Sequence, residues 1–165
     1  YGAYSYMDAK YNGTFTSYYC TSSYDSASTD HQCKKTGSPL VSNVVTVTTQ
    51  GGNTIPGTYK QQLYGQVSWK YPDLGFRASF EGIANSRVYA NDINTAYAQG
   101  YTIFNLRAGF NQKINNWELS EFALIGNVFD KNYISSVRVN DSNGAFYEAG
   151  TDRNYMAGLS ISTRF

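Results

Sequence analysis

Along stretches of about ten residues this chain alternates apolar and polar side chains, and it does so repeatedly. From Tyr59 to Lys70 one face reads Tyr59, Gln61, Leu63, Gly65, Val67, Trp69; the other reads Lys60, Gln62, Tyr64, Gln66, Ser68, Lys70. Leu74, Phe76, Ala78, Phe80, Gly82 and Ala84 then alternate with Arg77, Ser79, Glu81 and Asn85. Thr102, Phe104, Leu106, Ala108 and Phe110 oppose Asn105, Arg107, Gly109 and Asn111. Phe122, Leu124, Gly126 and Val128 face one way, with Glu121, Ala123, Ile125 and Asn127 behind them. In the last stretch Tyr155, Ala157, Leu159, Ile161, Thr163 and Phe165 stand against Asn154, Met156, Gly158, Ser160, Ser162 and Arg164. Residues 4–11 read as one more strand, harder to phase because Tyr4, Tyr6, Asp8 and Lys10 share a face. A period of two, repeated in this way, predicts antiparallel sheet with two unlike faces. No segment carries a convincing helical period.

Such a sheet folds either into a soluble sandwich or into a membrane barrel. Mean hydropathy is −0.46, and no stretch approaches the roughly 18–20 apolar residues of a membrane helix. That test is blind to barrels, whose strands average to mildly polar. A strand of this length, tilted about 40°, spans roughly the apolar band of an outer membrane. The connections are sorted: residues 12–58, 86–100 and 135–152 are long, whereas Tyr71-Pro72-Asp73 and residues 112–116 are short. Long loops on one side and tight turns on the other are the pattern of bacterial outer-membrane barrels, with the turns facing the periplasm. Trp69, Tyr71, Phe76, Phe110, Trp117 and Phe165 fall beside the short turns or the C-terminus, at one level, as an interfacial girdle requires. Arg77, Glu81, Arg107 and Glu121 would be costly in a dry sandwich core and ordinary in a wet lumen. Arg77 with Glu81, and Arg107 with Glu121, are the expected lumenal ion pairs. The fold class expected is therefore all-β: a transmembrane β-barrel segment of about six antiparallel strands, with long outer loops and short periplasmic turns.

A net charge of +1 gives no field to attract nucleic acid. The chain begins at Tyr1 with neither Met nor an apolar leader, which reads as a processed chain or a fragment. Cys20 and Cys33 lie in a segment rich in Ser, Thr, Tyr and Asp, as fits a disulfide stapling a loop in an oxidising compartment. A bridge over so short a loop contributes ~3 kcal/mol. The other reading is a metal site from Asp30, His31, Cys33 and Cys20, but the spacing matches no zinc signature. His31 is the only histidine, and no Ser or Asp stands out as its catalytic companion. No enzyme activity and no cofactor are expected.

The C-terminal third resembles TonB-dependent outer-membrane receptors, the 22-stranded gated transporters. Residues 122–133, Phe-Ala-Leu-Ile-Gly-Asn-Val-Phe-Asp-Lys-Asn-Tyr, are similar to that family's Asn-Leu-Phe-Asp-x-x-Tyr signature, with Val128 in place of Leu. Gly150-Thr151-Asp152-Arg153 and the terminal Ser162-Thr163-Arg164-Phe165 resemble its Gly-x-x-Arg strand start and its Arg-Phe end. Residues 100–110 look like the strand before the signature. Residues 4–11, Tyr-Ser-Tyr-Met-Asp-Ala-Lys-Tyr, resemble the family's strand into a long outer loop.

The resemblance implies an energised receptor importing a scarce nutrient, with a ferric siderophore the first expectation because the family so commonly serves it. A non-energised porin or adhesin-type barrel is the alternative. It also implies a plug, a TonB-engaging segment and about sixteen earlier strands, none of which any part of residues 1–165 resembles. The expected partners are outer-membrane lipid, the remainder of the barrel with its plug, the TonB complex and a small metal chelate. Ligand contact is expected on the outer loops from Arg87, Tyr89, Tyr97, Arg138 and Tyr147, since guanidinium forks onto carboxylate or catecholate and Tyr offers flat contact area. Loop solvation and loop-to-loop hydrogen bonding are the plainer reading of the same residues. Asn127, Phe129, Asp130, Tyr133, Arg153 and Phe165 carry the motif, with Asp130 and Tyr133 expected to fix the strand-to-loop junction.

Overall fold

The computed structural model describes residues 1–20, 26–27, 33–34, 44–141 and 144–163. In chain order its strands are β1 (Gly2–Tyr6), β2 (Phe15–Cys20), β3 (Ser26–Ala27), β4 (Cys33–Lys34), β5 (Val44–Thr49), β6 (Gln61–Tyr71) and β7 (Phe76–Asn85). There follow β8 (Val88–Tyr89), β9 (Tyr97–Ala98), β10 (Tyr101–Ile114), β11 (Trp117–Gly126), β12 (Ile134–Val137), β13 (Tyr147–Ala149) and β14 (Asn154–Thr163). Six of them form one antiparallel sheet in the order β1-β6-β7-β10-β11-β14. The others pair as four small hairpins, β2-β5, β3-β4, β8-β9 and β12-β13. All of these hairpins lie within the three long connections, so what reads as irregular loop in the sequence carries short ladders of its own.

Both tight connections fall at one end of the sheet. Pro72–Leu74 form a single 3-10 turn after β6, closed by Gly75 at φ 63°. Its left-handed backbone and close approach to Asn111 leave no room for a Cβ. Between β10 and β11 the turn is only Asn115-Asn116, with Asn115 at φ 57° and Ile114 opposite Trp117. This is tighter than the 112–116 turn expected, because Gln112 and Lys113 are still in the ladder, opposite Leu119 and Glu118. At the other end β1 stops at Tyr6, short of the expected 4–11 strand. Beyond it the chain keeps only spaced contacts: Met7 N–H to Lys60 C=O at 3.0 Å, and an isolated bridge from Lys10 to Thr54.

Register sorts the side chains, because directly opposed residues share a face. One face carries Tyr4, Leu63, Val67, Trp69, Phe76, Phe80, Phe104, Leu106, Phe110, Ile125, Tyr155 and Leu159 in register. The other carries Tyr64, Gln66, Ser68, Lys70, Arg77, Glu81, Asn105, Arg107 and Ser120. Much of the apolar face is exposed: Val67 is 74%, Tyr155 71% and Leu159 65% exposed. Among the described residues Val88, Ala90 and Ala98, all in the 86–100 connection, are enclosed, as is Pro56 in the first long connection.

One phase differs from the expectation. Glu121 opposes Phe110 and Leu159 on the apolar face, while Phe122 and Leu124 lie with Arg107 on the polar face. The physical reason is cross-strand packing. Gly109 and Gly158 sit directly opposite Phe122, whose ring occupies the space over Gly158 that a Cβ would need. The Arg107 guanidinium lies 4.5 Å from the same ring. A large ring over glycine protects thin backbone and gives the cation a flat surface to stack on. The displaced Glu121 sits level with the β6–β7 turn, in the row of Phe76 and Phe110.

Neither expected ion pair forms. Glu81 accepts hydrogen bonds from Tyr64 Oη at 3.0 Å and Asn105 Nδ2 at 2.6 Å. Arg77 instead donates from Nη2 to Ser120 Oγ at 3.3 Å. Arg77 and Glu81 lie four residues apart on one strand, too far to meet, and Arg107 and Glu121 project from opposite faces. No disulfide is found among the described residues. The side chains of Cys20 and Cys33, together with His31, Asp30, Arg164 and Phe165, lie outside them.

Candidate functional site

The three long connections meet at the end of the sheet away from the turns, and the 86–100 connection is their hub. Asn91 shapes it: its Oδ1 accepts from Thr95 N–H at 3.0 Å and Ala96 N–H at 3.1 Å, an Asx-type local closure. Asp92 and Asn94 then reach outward. Asp92 accepts from Tyr11 Oη at 2.6 Å on one oxygen and from Asn140 Nδ2 at 2.9 Å on the other. Asn140 Oδ1 accepts from Asp92 N–H at 3.1 Å, and its own N–H donates to Ala90 C=O at 2.9 Å. Asn94 exchanges both hydrogen bonds with the Thr54 backbone, at 2.7 and 2.8 Å. Burial and the Asp92 carboxylate together push the Tyr11 phenol up to about 12.

Beside this hub lies a cleft of about 420 Å³ lined by Tyr97, Gln99, Tyr101, Lys131, Tyr133 and Tyr147 among others. Tyr101 and Tyr133 pack with ring centroids 4.5 Å apart. Asn85 Nδ2 donates to Tyr101 Oη at 2.8 Å, which fixes that ring at the top of β10. The cleft thus offers several phenols and one ammonium, a lining that suits a flat or aromatic anion.

The residues singled out in the sequence fall into separate groups. Arg87, Tyr89 and Tyr97 come together on the β8–β9 hairpin, with the guanidinium 4.3 Å from the Tyr97 ring and Tyr89 edge-on to it at 6.1 Å. Tyr97 and Tyr147 both line the cleft. Arg138 does not reach it; its Nε donates to Glu148 at 3.0 Å. The Ser136 hydroxyl and that guanidinium hold Glu148 below the ordinary carboxylate range. Sequence reasoning missed Tyr101, Lys131 and the Asp92–Asn94–Asn140 hub. The Asn91-Asp92-Ile93-Asn94 run was a visible turn signal, but nothing local says which distant loops it would hold.

The signature residues form a junction below the cleft. Asn127 is 3% exposed and left-handed at φ 50°. Its Oδ1 accepts from Lys131 N–H at 2.9 Å, and its Nδ2 donates to the carbonyls of Lys131 at 2.9 Å and Thr151 at 3.1 Å. Its backbone N–H donates to Asn105 Oδ1 at 2.9 Å. Asp130, also left-handed, accepts from the Arg153 backbone N–H at 2.8 Å. Phe129 packs edge-on against Phe104 at 5.5 Å. Tyr133 covers Gly150 and accepts its N–H at 2.8 Å. Among the described residues no cluster of His, Cys, Asp and Glu could hold a metal ion.

No family model matches the sequence. Solved structures do. The siderophore receptor PiuA from Acinetobacter baumannii aligns over 72% of this chain with a TM-score of 0.58 and 16% identity. The ferric citrate transporter FecA, in its unliganded form, aligns over 72% with a TM-score of 0.59 and 20% identity. BauA, the ferric preacinetobactin receptor of Acinetobacter baumannii, aligns over 90% with a TM-score of 0.57 and 18% identity. The chain covers 18%, 20% and 26% of those three receptors. The six-stranded sheet with its sorted loops and turns has the fold of a segment of an outer-membrane receptor barrel, the fold of the TonB-dependent receptors that the motifs resemble.

Proposed function

We propose that residues 1–165 supply wall strands and outer loops to an energised outer-membrane receptor that imports a metal chelate, a ferric siderophore first. The observation that carries this reading is the uncovered apolar face: Val67, Trp69, Tyr155 and Leu159 point away from the protein with nothing described to cover them. In water such a face is a liability; against acyl chains it is the ordinary exterior of a barrel. The polar face then lines the lumen, the turns and the C-terminus lie at the periplasmic side, and the long connections face the cell exterior. The two open sheet edges, β1 and β14, call for strands of the remaining barrel, because unpaired backbone in lipid costs several kcal/mol per group. Chemically the cleft of Tyr97, Tyr101, Lys131, Tyr133 and Tyr147 offers the ligand site. The Asn127–Asp130–Tyr133 junction positions it. Energy reaches the barrel through a plug and the TonB complex, both engaged by polypeptide outside these residues. No bond is made or broken in this reading.

The test is uptake by the full-length protein in iron-starved cells. Labelled ferric siderophore should accumulate when the receptor is present and should stop when TonB is removed. Lys131→Ala and Tyr97→Ala should each weaken binding about tenfold, the loss of one good contact. Accumulation that continues without TonB points instead to a non-energised porin or adhesin barrel.

A further inference from the structure

Register puts a single carboxylate on the apolar face of the six-stranded sheet. Glu121 opposes Phe110 on β10 and Leu159 on β14. Along β11 it shares that face with Trp117, Leu119, Ala123 and Ile125, so it stands in the middle of the strand. The described residues that share the face on the other five strands are all uncharged. Arg77, Arg107 and Lys113 project from the opposite side. Among the described residues the Glu121 carboxylate meets no hydrogen bond and no ion pair; the ion pairs there use Lys10, Lys60 and Arg138. Beside it, where small Ala157 follows the rung of Phe122 and Gly158, lies a hollow of about 580 Å³ bounded by Leu119, Glu121 and Leu159. An ionisable group on a membrane-facing surface is costly unless a partner answers it.

We propose that this hollow docks the apolar exterior of a second membrane protein, which brings one Lys or Arg to Glu121 within the bilayer. The inference rests on the reading that this face meets lipid. Charge complementarity sets the sign: a carboxylate on a face without cations calls for a cation from outside. It also excludes a second copy joined through the same described residues, which brings another carboxylate and no cation. Depth sets the class of partner. Leu119 and Trp117 lie between Glu121 and the β10–β11 turn, roughly 13 Å of strand, with Ile161 and Ile114 opposite them. A lipid ammonium at the headgroup level has that apolar stretch to cross. A protein side chain arrives at the carboxylate's own depth. The surface also suits close approach, because Ala78, Ala108, Ala123 and Ala157 oppose one another across four strands in the row next to Glu121. Small side chains let backbones come together inside a membrane.

The experiment uses the full-length protein in cells, with a photoactivatable cross-linker at Ala157, or at Ala123 should Ala157 not tolerate it. Irradiation should give one protein adduct of discrete mass, and peptide mapping should place a Lys or Arg of the partner beside the link. Glu121→Lys should reduce the adduct about tenfold by setting like charges together. Changing the partner's cation to Glu should restore it in that background. If Glu121→Lys fails to assemble, Glu121→Gln removes the charge without reversing it and should weaken the adduct by less. The protein alone in liposomes gives a second measurement. There Glu121 faces acyl chains without its partner, so Glu121→Leu should raise the urea midpoint. The proposal is overturned by an adduct to lipid only, by no adduct, or by one that both Glu121 variants leave unchanged or the reversed pair does not restore. A midpoint that does not rise in Glu121→Leu also overturns it, since the cation then lies within the same barrel. Val67→Cys in a Cys20→Ser, Cys33→Ser background reports on the wall itself. Fast labelling there by a membrane-impermeant thiol reagent overturns the lipid-facing reading, whereas protection confines any failure to the docking site.

Discussion

In the six-stranded sheet a row of large apolar side chains stays exposed on one face, whereas in the loop cluster small apolar side chains are enclosed and the polar side chains of the Asp92–Asn94–Asn140 hub are paired. Val67 is 74% exposed and Val88 is 2% exposed. The same residue type is thus used for opposite ends. The sheet has no core of its own and takes its stability from backbone ladders and from whatever meets its apolar face. The loop cluster is a small protein interior, with Val88, Ala90 and Ala98 beneath a net of side-chain amides. Environment decides the first region, and internal complementarity decides the second.

The strongest test of that contrast is to place one charge in each region. On the proposed barrel reading, Val67→Arg puts a guanidinium in the middle of the apolar face, where lipid gives it nothing to bond. A cost of about 2–4 kcal/mol is expected at the bilayer midplane. It should appear as loss of the heat-modifiable folded band on unboiled gels. Val88→Arg should unseat the β8–β9 hairpin and abolish ligand binding while the folded band persists. Were Val88→Arg to block assembly and Val67→Arg to be silent, the sheet would have its core where the loops are, and the contrast would be reversed.

Next in size is the junction between the two regions. Asn127→Ala removes three side-chain hydrogen bonds and leaves the Lys131 N–H without its partner in a part-buried site. It also leaves a left-handed backbone without the residue type that tolerates it. A loss of about 2–3 kcal/mol follows, read as a lower urea midpoint for the protein refolded in liposomes. Asn127→Gly recovers the backbone part but not the hydrogen bonds, so it should fall between Ala and wild type. Equal midpoints for Ala and Gly would mean that φ contributes nothing here.

How much of this was legible in the sequence divides along the same line. The sheet was, because period-two alternation is local and survives from Leu63 through Leu159. The exception, β11, teaches why. Its two faces are nearly balanced, with Leu119 and Ile125 on one and Phe122 and Leu124 on the other, so hydrophobicity alone cannot choose. Turn length can. Setting the turn at 112–116 lets the register float, whereas the two-residue Asn115-Asn116 turn pairs Ile114 with Trp117 and carries Glu121 to Phe110. Residue types in the loops were also readable: the Arg and Tyr of the β8–β9 hairpin do meet. Their partners were not. Tyr11 and Asp92 are 81 residues apart, and Arg138 is neutralised by Glu148 across a hairpin that no alternation announces.

The smallest effect belongs to the Tyr11–Asp92 contact, and it is the one that separates a built interior from a solvated loop by charge alone. A tyrosine in a solvated loop loses its proton near 10. Buried against a carboxylate, Tyr11 should hold it until about 12. Because the folded value lies above the unfolded one, the contact contributes fully below pH 10 and is lost as the pH climbs through about 12. The tyrosinate absorbance of wild type minus that of Tyr11→Phe isolates this one phenol among sixteen tyrosines. The difference should stay flat through pH 10 and rise only above it. Asp92→Asn should pull the rise back toward 10 without removing it entirely, since burial is the larger cause and the carboxylate the smaller. A difference spectrum that already titrates near 10 in the wild type would mean that Tyr11 is solvated and the hub open, and the loops would then be no more self-contained than the wall beneath them.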